Sequence, residues 1–290
     1  MPGSSVKPKL NISFSGGRTS GYMTKLLLDN WSEKYEFVIT FTNTGLEHPK
    51  TLDFIHNCDI YFGFNTIWLE AVFTHDARVG VRHKIVSFER ASRKGEPFEE
   101  YVKKHGIPSV AHKSCTSRLK LDVMDSYRKS VGSLDAPVAI GIRADEQRRV
   151  SKTATQNNII YPLVDVWPSD KQDVLTWWED QPFDLGIQEF EGNCLGCFKK
   201  SLRKHFMQID HDPTAYDFHR RMESLYGSIK ASNERRVFFR NNMSTDELFS
   251  LFAENSGNIR MMRDADANGG CSESCEVYLT EELPEWLKVV

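Results

Sequence analysis

The segment "SFSGGRTSGY" at residues 13–22 combines glycine, hydroxyl and arginine side chains in a pattern that favours binding of an anion. Apolar residues alternate before it and predict a strand from Lys9 to Phe14, whereas those after it follow helical spacing. A glycine turn between a strand and a helix leaves backbone N–H groups at the positive end of the helix dipole, where phosphate binds. Four side chains of the turn add hydroxyl donors or positive charge: Ser15, Arg18, Thr19 and Ser20. The alternative is a tight strand–helix turn in which Ser20 is the N-cap.

Cysteines form the second group of residues that could do chemistry, and the chain has six of them: Cys58, Cys115, Cys194, Cys197, Cys271 and Cys275. Cys194 and Cys197 form a C-x-x-C turn, in which Gly192 and Gly196 allow the backbone to fold tightly. In a reducing cytosol such cysteines indicate metal or redox chemistry more often than a disulfide scaffold. Three interpretations stay open from the spacing alone: a metal site, a dithiol redox pair and buried structural thiols. Cys58 is interpreted as a packed core thiol.

Length and composition limit the class of protein. The chain has 290 residues, of which 40% are apolar, enough for one large domain or two smaller ones. It has no apolar run of membrane-spanning length and no signal-peptide pattern at its start, which predicts a cytoplasmic location, including the cytoplasm of an infected host cell. Net charge is only −3, but residues 75–120 hold eleven Lys and Arg against five Asp and Glu. That basic segment could attract a polyanion, or it could simply be solvated.

Strand and helix patterns alternate along the first part of the chain. Further strands are predicted at Phe37–Thr42, Asn65–Leu69 and Ala136–Ile142, and helices after Pro49, over Leu119–Tyr127, and from a Ser169–Gln172 capping box through Trp178. Residues 75–113 carry no clear pattern. The alternation predicts an α/β fold with a mostly parallel sheet and helices on both faces. Since ligands bind at the carboxyl ends of such strands, "SGGRTS", "NTGLEH" and "GIRADEQRR" are expected to converge on one nucleotide site.

The pattern changes after residue 183. The C-x-x-C segment comes first, and polar helices follow near Pro213–Leu225 and Thr245–Ala253. We therefore expect two parts, an α/β nucleotide-binding domain at residues 1–183 and a helical, cysteine-containing segment at residues 184–290.

Several of these motifs together resemble a known family. "SFSGGRTS" resembles the pyrophosphate loop (PP-loop) of the ATP-pyrophosphatase superfamily, written SGGxDS, and "FTNTGLEHPKTLDFI", "CTSRLK", "GIRADEQRR" and "YPL" resemble its phosphoadenosine-phosphosulfate (PAPS) reductase branch, particularly phage and bacterial relatives. The resemblance covers roughly residues 9–205. It implies a Rossmann-like, adenine nucleotide α-hydrolase-like fold that binds ATP, PAPS or adenylylsulfate (APS), with the phosphates on the loop Ser15–Ser20 and the adenine near Phe37–Thr42.

The resemblance also implies site residues. Those expected to bind the nucleotide are Ser15, Gly16, Gly17, Arg18, Thr19, Ser20, Asn43, Thr44, Gly45, Glu47 and Gly141. Those expected to be catalytic are Arg143, Glu146 and Arg149, since guanidinium groups suit phosphate or sulfate oxygens. Thr19 stands where the family loop has an aspartate that helps to hold Mg²⁺. A magnesium ion would therefore need another carboxylate, and loop position makes Glu47, Asp145 and Glu146 the candidates.

The cysteine spacing resembles that of APS reductases, which hold a 4Fe-4S cluster with a cysteine pair and a later C-x-x-C. Here Ser114 replaces the first member of the pair, which leaves Cys115, Cys194 and Cys197 as matched ligands. Cys271 or Cys275 is expected to supply the fourth thiolate, or one iron stays open to bind sulfide or substrate. Basic residues nearby would stabilise the thiolates: Arg118, Lys120, Lys199 and Lys200. Zinc and a plain dithiol pair are the alternatives.

These features lead to a first hypothesis, an iron–sulfur-dependent sulfur-transfer enzyme that uses ATP to adenylate a nucleic-acid or small acceptor. Its expected partners are an adenine nucleotide, a nucleic-acid acceptor and a sulfur or electron donor, with a homodimer as the candidate assembly and no membrane. One alternative is PAPS or APS reduction with release of sulfite, although the chain lacks the ECGLH-like cysteine motif of those reductases. Another is a nucleotide-binding subunit without turnover, which Thr19 favours.

Overall fold

The computed structural model describes residues 7–74, 76, 79–231 and 233–255, and six strands within them form one sheet. The strands are β1 Lys9–Ser13, β2 Glu36–Asn43, β3 Ile67–Val72, β4 Arg82–Val86, β5 Val138–Ile140 and β6 Ile159–Ile160. They lie in the order β4-β3-β2-β1-β5-β6, and neighbours are parallel except for the antiparallel pair β3–β4. This arrangement confirms the expected α/β, Rossmann-like fold with a mostly parallel sheet.

Helices connect the strands and cover the sheet. Those among the described residues are α1 Arg18–Trp31, α2 Pro49–Phe62, α3 Glu96–His105, α4 Asp122–Ser130, α5 Pro162–Asp165, α6 Lys171–Glu179, α7 Leu202–His211, α8 Asp217–Tyr226 and α9 Thr245–Asn255. Their placement on both faces follows from strand alternation: Val38 of β2 packs in one apolar cluster and its neighbour Ile39 in the other. Cys58 is fully buried in the second cluster, as predicted for a core thiol.

Several boundaries differ from the sequence prediction. The segment 75–113 contains β4 and α3, and β4 escaped prediction because it is an exposed edge strand whose Ile85 is 61% exposed. The strand predicted from Asn65 begins two residues later, at Ile67. The capping box of α6 is also shifted by one residue. The Asp170 side chain accepts a hydrogen bond from the Asp173 amide, and the Asp173 side chain accepts one from the Asp170 amide.

The helices after residue 183 share an apolar core with the sheet. Phe206 of α7 and Met222 of α8 belong to the same buried cluster as Leu69 of β3 and Tyr101 of α3. The division at residues 183 and 184 stays a prediction. No helix among the residues described above has the length and apolar character needed to cross a membrane.

Candidate functional site

The glycine turn lies between β1 and α1, as predicted. Packing within the fold requires a glycine at position 16. Gly16 has a φ of +80°, which disfavours any side chain, and a Cβ atom there would lie 2.8 Å from both Ile55 and Thr51 of α2. The missing Cβ atom at Gly16 therefore leaves room for the neighbouring helix α2. Gly17, not Ser20, is the N-cap of α1.

Hydroxyl groups stabilise this turn from within. The Ser15 and Ser20 hydroxyls lie 2.9 Å apart, and the Ser20 hydroxyl also donates to the Gly17 carbonyl at 3.0 Å. The backbone of Gly141, after β5, packs directly on this first turn of α1, since a Cβ atom at Gly141 would lie 2.9 Å from the Ser20 Cα. Ser20 and Gly141 therefore fix the entry of α1, whose first-turn amides point towards the carboxyl edge of the sheet.

A cavity of about 220 Å³ opens at this edge, beside the glycine turn. Fourteen residues line it: Ser15, Gly16, Gly17, Arg18, Glu47, Thr51, Lys120, Arg149, Leu185, Ile187, Gln188, Glu189, Gly192 and Asn193. The glycine turn, the loop after β2 and the loop after β5 thus converge on one cavity, and so does the cysteine loop through Gly192 and Asn193. The other predicted residues lie outside this lining: Thr19, Ser20, Asn43, Thr44, Gly45, Gly141, Arg143 and Glu146.

Arg18 lines the cavity, and its guanidinium group is paired with the Asp184 carboxylate. Its guanidinium makes a two-pronged contact with Asp184, with Nε–Oδ1 and Nη2–Oδ2 distances of 2.6 Å. The Trp178 indole donates to the Arg18 carbonyl at 2.9 Å. Burial by itself would raise the pKa of Asp184, but the hydrogen bonds and charge of Arg18, together with backbone hydrogen bonds from Leu185 and Gly186, lower it. The pair therefore anchors α1 to the segment before the cysteine loop.

The loop after β2 is built around Asn43 and Glu47. The fully buried Asn43 donates to Glu70 at 2.7 Å and accepts from the Gly45 amide at 3.0 Å, which makes it a positioning residue for the loop. The Glu47 carboxylate accepts from the amide and the hydroxyl of Thr44, both at 2.9 Å. These bonds hold Glu47, only 8% exposed, at the cavity wall.

Arg143 and Arg149, which were predicted together as anion ligands, have different surroundings. Arg143 is 5% exposed, contacts both oxygens of Asp145 at 2.9 and 3.1 Å, and donates to the Thr19 hydroxyl at 3.4 Å. Arg149 is half-exposed on the cavity and pairs with Glu146 at 2.8 Å. Arg149 can thus reach a ligand in the cavity, whereas Arg143 braces Thr19 and the loop after β5.

Lys120 is a cavity residue that the sequence reasoning assigned only to the thiols. It lies in a π-helical stretch, Ser117–Leu121, that leads into α4, and its Nζ lies 3.6 Å from Glu47 Oε1. Insertions of this kind re-aim side chains and are frequent at functional sites. The signal that could have placed it was the motif "CTSRLK", whose lysine follows Cys115 by five residues.

The cysteine loop pairs with the loop after β2. Glu47 and Cys194 form an isolated antiparallel bridge, and the Leu195 amide donates to the Leu46 carbonyl at 2.8 Å. The Cys194 sulfur consequently lies 3.5 Å from the Thr44 hydroxyl and 3.9 Å from Glu47 Oε1. Cys194, which is far from the glycine turn in the sequence, therefore lies beside the glycine-turn cavity in the fold.

The Cys194 thiol is strongly protonated. Burial raises its pKa to about 11; Glu47 and Cys115 also raise it, while Lys120 lowers it. Burial likewise raises the pKa of Cys115, and Lys199 opposes that shift. Cys115 and Cys194 are thus close enough to influence each other. Of the basic residues expected near the thiols, Lys120 and Lys199 favour the thiolate form.

The described residues do not fit the predicted iron–sulfur or zinc site as they are arranged. No group of three or more His, Cys, Asp or Glu within residues 7–74, 76, 79–231 and 233–255 could hold a metal ion. The Cys194 thiol instead contacts Thr44 and Glu47. Cys271 and Cys275 lie outside the described residues. The cluster stays a prediction, and we derive no chemical step from it.

The candidate magnesium ligands are likewise engaged with cations. Asp145 pairs with Arg143 at 2.9 Å, Glu146 with Arg149 at 2.8 Å, and Glu47 with Lys120 at 3.6 Å. A hard cation prefers several free carboxylate or carbonyl oxygens, so this donor set does not fit Mg²⁺.

These features define the class: a Rossmann-like α/β protein in which a glycine turn and a C-x-x-C loop line one cavity at the carboxyl edge of the parallel strands. The chain is 31% identical over 282 residues to the uncharacterized nin region protein ORF290 of Escherichia phage lambda, covering 92% of this chain and 94% of that protein. It therefore belongs to the family of that nin region protein.

Two uncharacterized proteins of Methanocaldococcus jannaschii are similar over shorter stretches. The identity is 24% over 200 residues with MJ0066 and 30% over 120 residues with MJ0973. The matches cover 67% and 41% of this chain but only 36% and 23% of those proteins. No family model matches the chain.

Proposed function

We propose that this protein is an enzyme that binds ATP with its phosphates in the glycine-turn cavity and transfers AMP to an acceptor during sulfur transfer. The observation that carries the proposal is the shared cavity. Its wall combines the glycine turn, two cationic side chains, Lys120 and Arg149, and the loop that carries Cys194. The cytoplasm, including that of an infected host cell, is the proposed place of action.

The cavity residues suit the electrostatics of this reaction. The acceptor would attack the α-phosphorus; a bond forms between the acceptor atom and phosphorus, and the bond to the bridging oxygen breaks. Pyrophosphate leaves with that electron pair, so negative charge grows at the glycine turn. The first-turn amides of α1 and the Lys120 ammonium group are placed to stabilise it. Glu47, held by Thr44, positions Lys120.

Sulfur chemistry is assigned to Cys194 and Cys115 because of their position. The Cys194 sulfur lies 3.9 Å from Glu47 Oε1, and Glu47 lines the cavity; Cys115 lies within electrostatic reach of Cys194. A thiol held protonated by burial needs a nearby cation to become nucleophilic, and Lys120, which lowers the pKa of Cys194, is such a group.

Nucleotide binding is tested by calorimetry with ATP, PAPS and AMP. We expect Lys120→Met to weaken ATP binding about tenfold, the equivalent of about 1.4 kcal/mol for one lost charge-assisted contact. Lys129→Met is the matched control, because Lys129 is an exposed lysine near the end of α4 that does not line the cavity. Failure of the wild-type protein to bind any adenine nucleotide would refute the proposal.

Turnover is tested separately by formation of AMP and pyrophosphate in the presence of small thiols or nucleic acids. AMP formation that depends on an acceptor supports AMP transfer. Binding of ATP without AMP formation under any of these conditions favours the nucleotide-binding subunit instead, in agreement with Thr19 being engaged by Arg143.

Reduction of PAPS or APS is the second candidate, and one observation favours it. The three carboxylates near the cavity are paired with cations, whereas reductive release of sulfite needs no metal-assisted cleavage between phosphates. An assay for sulfite with thioredoxin as electron donor separates the two reactions. Loss of sulfite formation in Cys194→Ser, but not in Cys58→Ser, would support the reductase.

A further inference from the structure

A second and larger cavity, of about 590 Å³, adjoins the glycine-turn cavity. Glu47 lines both. Asn193 lines the first cavity and Leu195 the second, so Cys194, between them in the chain, belongs to the segment that separates the two. Two cavities that share a wall at Glu47 would place two bound substrates next to each other, as a reaction between them requires.

Backbone hydrogen bonds hold together the wall that separates the two cavities. The antiparallel bridge between Glu47 and Cys194 and the 2.8 Å hydrogen bond from Leu195 to Leu46 join its two segments. A further bond, from the Gly95 amide to the Gly45 carbonyl at 3.0 Å, ties the wall to the loop before α3. The larger cavity thus has a fixed side that faces the proposed nucleotide site.

The lining of the larger cavity is apolar on one part and charged on another. Apolar contacts come from Leu46, Pro49, Leu52, Leu195, Ala215 and Phe218. Charged residues are the cations Arg93, Lys94 and Arg221 and the carboxylates Glu47, Glu96, Glu99 and Asp217. Since the four carboxylates outnumber the three cations, the cavity does not favour a polyanion such as nucleic acid.

Exposed charges of both signs border this cavity. Arg221 pairs with Glu99 at 2.6 Å, which neutralises both. Lys94 is exposed at the rim, next to the start of α3. Asp217 begins α8, has a side chain that is 70% exposed, and lies 3.7 Å from Arg220. A cation and a carboxylate on two different elements therefore border one apolar surface.

We propose that this cavity binds a small zwitterion, an amino acid or short peptide, as the second substrate of the nucleotide-dependent reaction. Its carboxylate would contact Lys94, its ammonium group Asp217, and its side chain the apolar surface around Leu46 and Phe218. The identity of the second substrate rests on the proposed function, but occupancy of the cavity can be measured without it.

Binding is measured by calorimetry on the full chain under anaerobic, reducing conditions, with L-cysteine and glutathione as probes. N-acetyl-L-cysteine lacks the ammonium charge and cysteamine lacks the carboxylate. If the cavity recognises a zwitterion, both analogues bind about tenfold more weakly than L-cysteine, as expected for one lost ionic contact each.

Matched variants locate the site. Lys94→Glu should weaken L-cysteine binding about tenfold, whereas Lys129→Glu, the same exchange at an exposed lysine outside both cavities, should not change it. Ala215→Trp should block the cavity, and Ala154→Trp, a half-exposed alanine outside both cavities, controls for the added bulk.

Each outcome separates this inference from the proposed function. Three results would overturn the inference: no binding of L-cysteine or glutathione, binding of either analogue as tight as that of L-cysteine, or L-cysteine binding that Lys94→Glu leaves unchanged. An ATP titration of the same samples is read independently: ATP binding without zwitterion binding refutes only the second site. Binding of an oligonucleotide that Lys94→Glu weakens would show instead that the cavity takes a polyanion.

Discussion

Replacing Gly16 by alanine tests the structural account of the glycine turn. The φ of +80° costs an L-residue about 1 kcal/mol. The new Cβ atom would also lie 2.8 Å from Ile55 Cδ1 and from Thr51 Cγ2, well inside ordinary contact, and such overpacking costs about 1–3 kcal/mol. We therefore expect Gly16→Ala to lower the free energy of unfolding by about 2–4 kcal/mol, measured by urea denaturation.

Gly63 provides the matched control. It has a φ of +65°, but a Cβ atom there meets nothing within 4 Å, so Gly63→Ala should cost only the conformational part, about 1 kcal/mol. The Ile55→Val substitution removes Cδ1, one of the two close atoms. The Gly16→Ala, Ile55→Val double variant should therefore be about 1 kcal/mol more stable to unfolding than the sum of the two single effects predicts. Equal costs at Gly16 and Gly63, or no coupling with Ile55, would refute the claim that Gly16 makes room for α2.

Three further predictions concern stability and reactivity. Asp184→Asn should destabilise the fold by about 1–3 kcal/mol because the Arg18 guanidinium, 11% exposed, loses its carboxylate. Burial lowers the pKa of His219 to about 3. Below pH 6.5 this histidine is therefore protonated in the unfolded chain but neutral in the folded chain, so the free energy of unfolding should fall as the pH falls. Between pH 6.5 and 5.0 the loss is about 2 kcal/mol, and His219→Phe should abolish that part. The Cys194 pKa of about 11 predicts alkylation by iodoacetamide at pH 7.5 about a hundredfold slower than for an exposed thiol.

Each of these predictions has a control and a contrary result. Asp29→Asn, which breaks the exposed pair with Lys25, should cost less than about 0.5 kcal/mol. An equally small cost of Asp184→Asn would contradict a stabilising role of the Asp184 carboxylate for the nearly buried Arg18 guanidinium. An unchanged pH dependence in His219→Phe would mean that its pKa is not depressed. Alkylation of Cys194 as fast as that of a cysteine-containing peptide would show that burial does not hold the thiol protonated.

Much of the geometry of the glycine-turn cavity could be predicted from local patterns. The glycine turn, the loop at Glu47 and the loop at Arg149 each follow a predicted parallel strand, and the carboxyl ends of such strands meet at one edge. Which side chains face the cavity could not be predicted, because this depends on packing. Asn43 and Arg143 share those loops but are turned inwards by Glu70 and Asp145.

The sequence by itself determined the α/β class, the position of the turn and the clustering of cysteines, because strand alternation, helical spacing and glycine content are local properties of the chain. Only the tertiary structure decided that Gly16 accommodates α2, that Lys120 faces Glu47, and that the cysteine loop divides two cavities. These contacts join residues far apart in the chain, and the folding of the sheet and helices into one core brings them together.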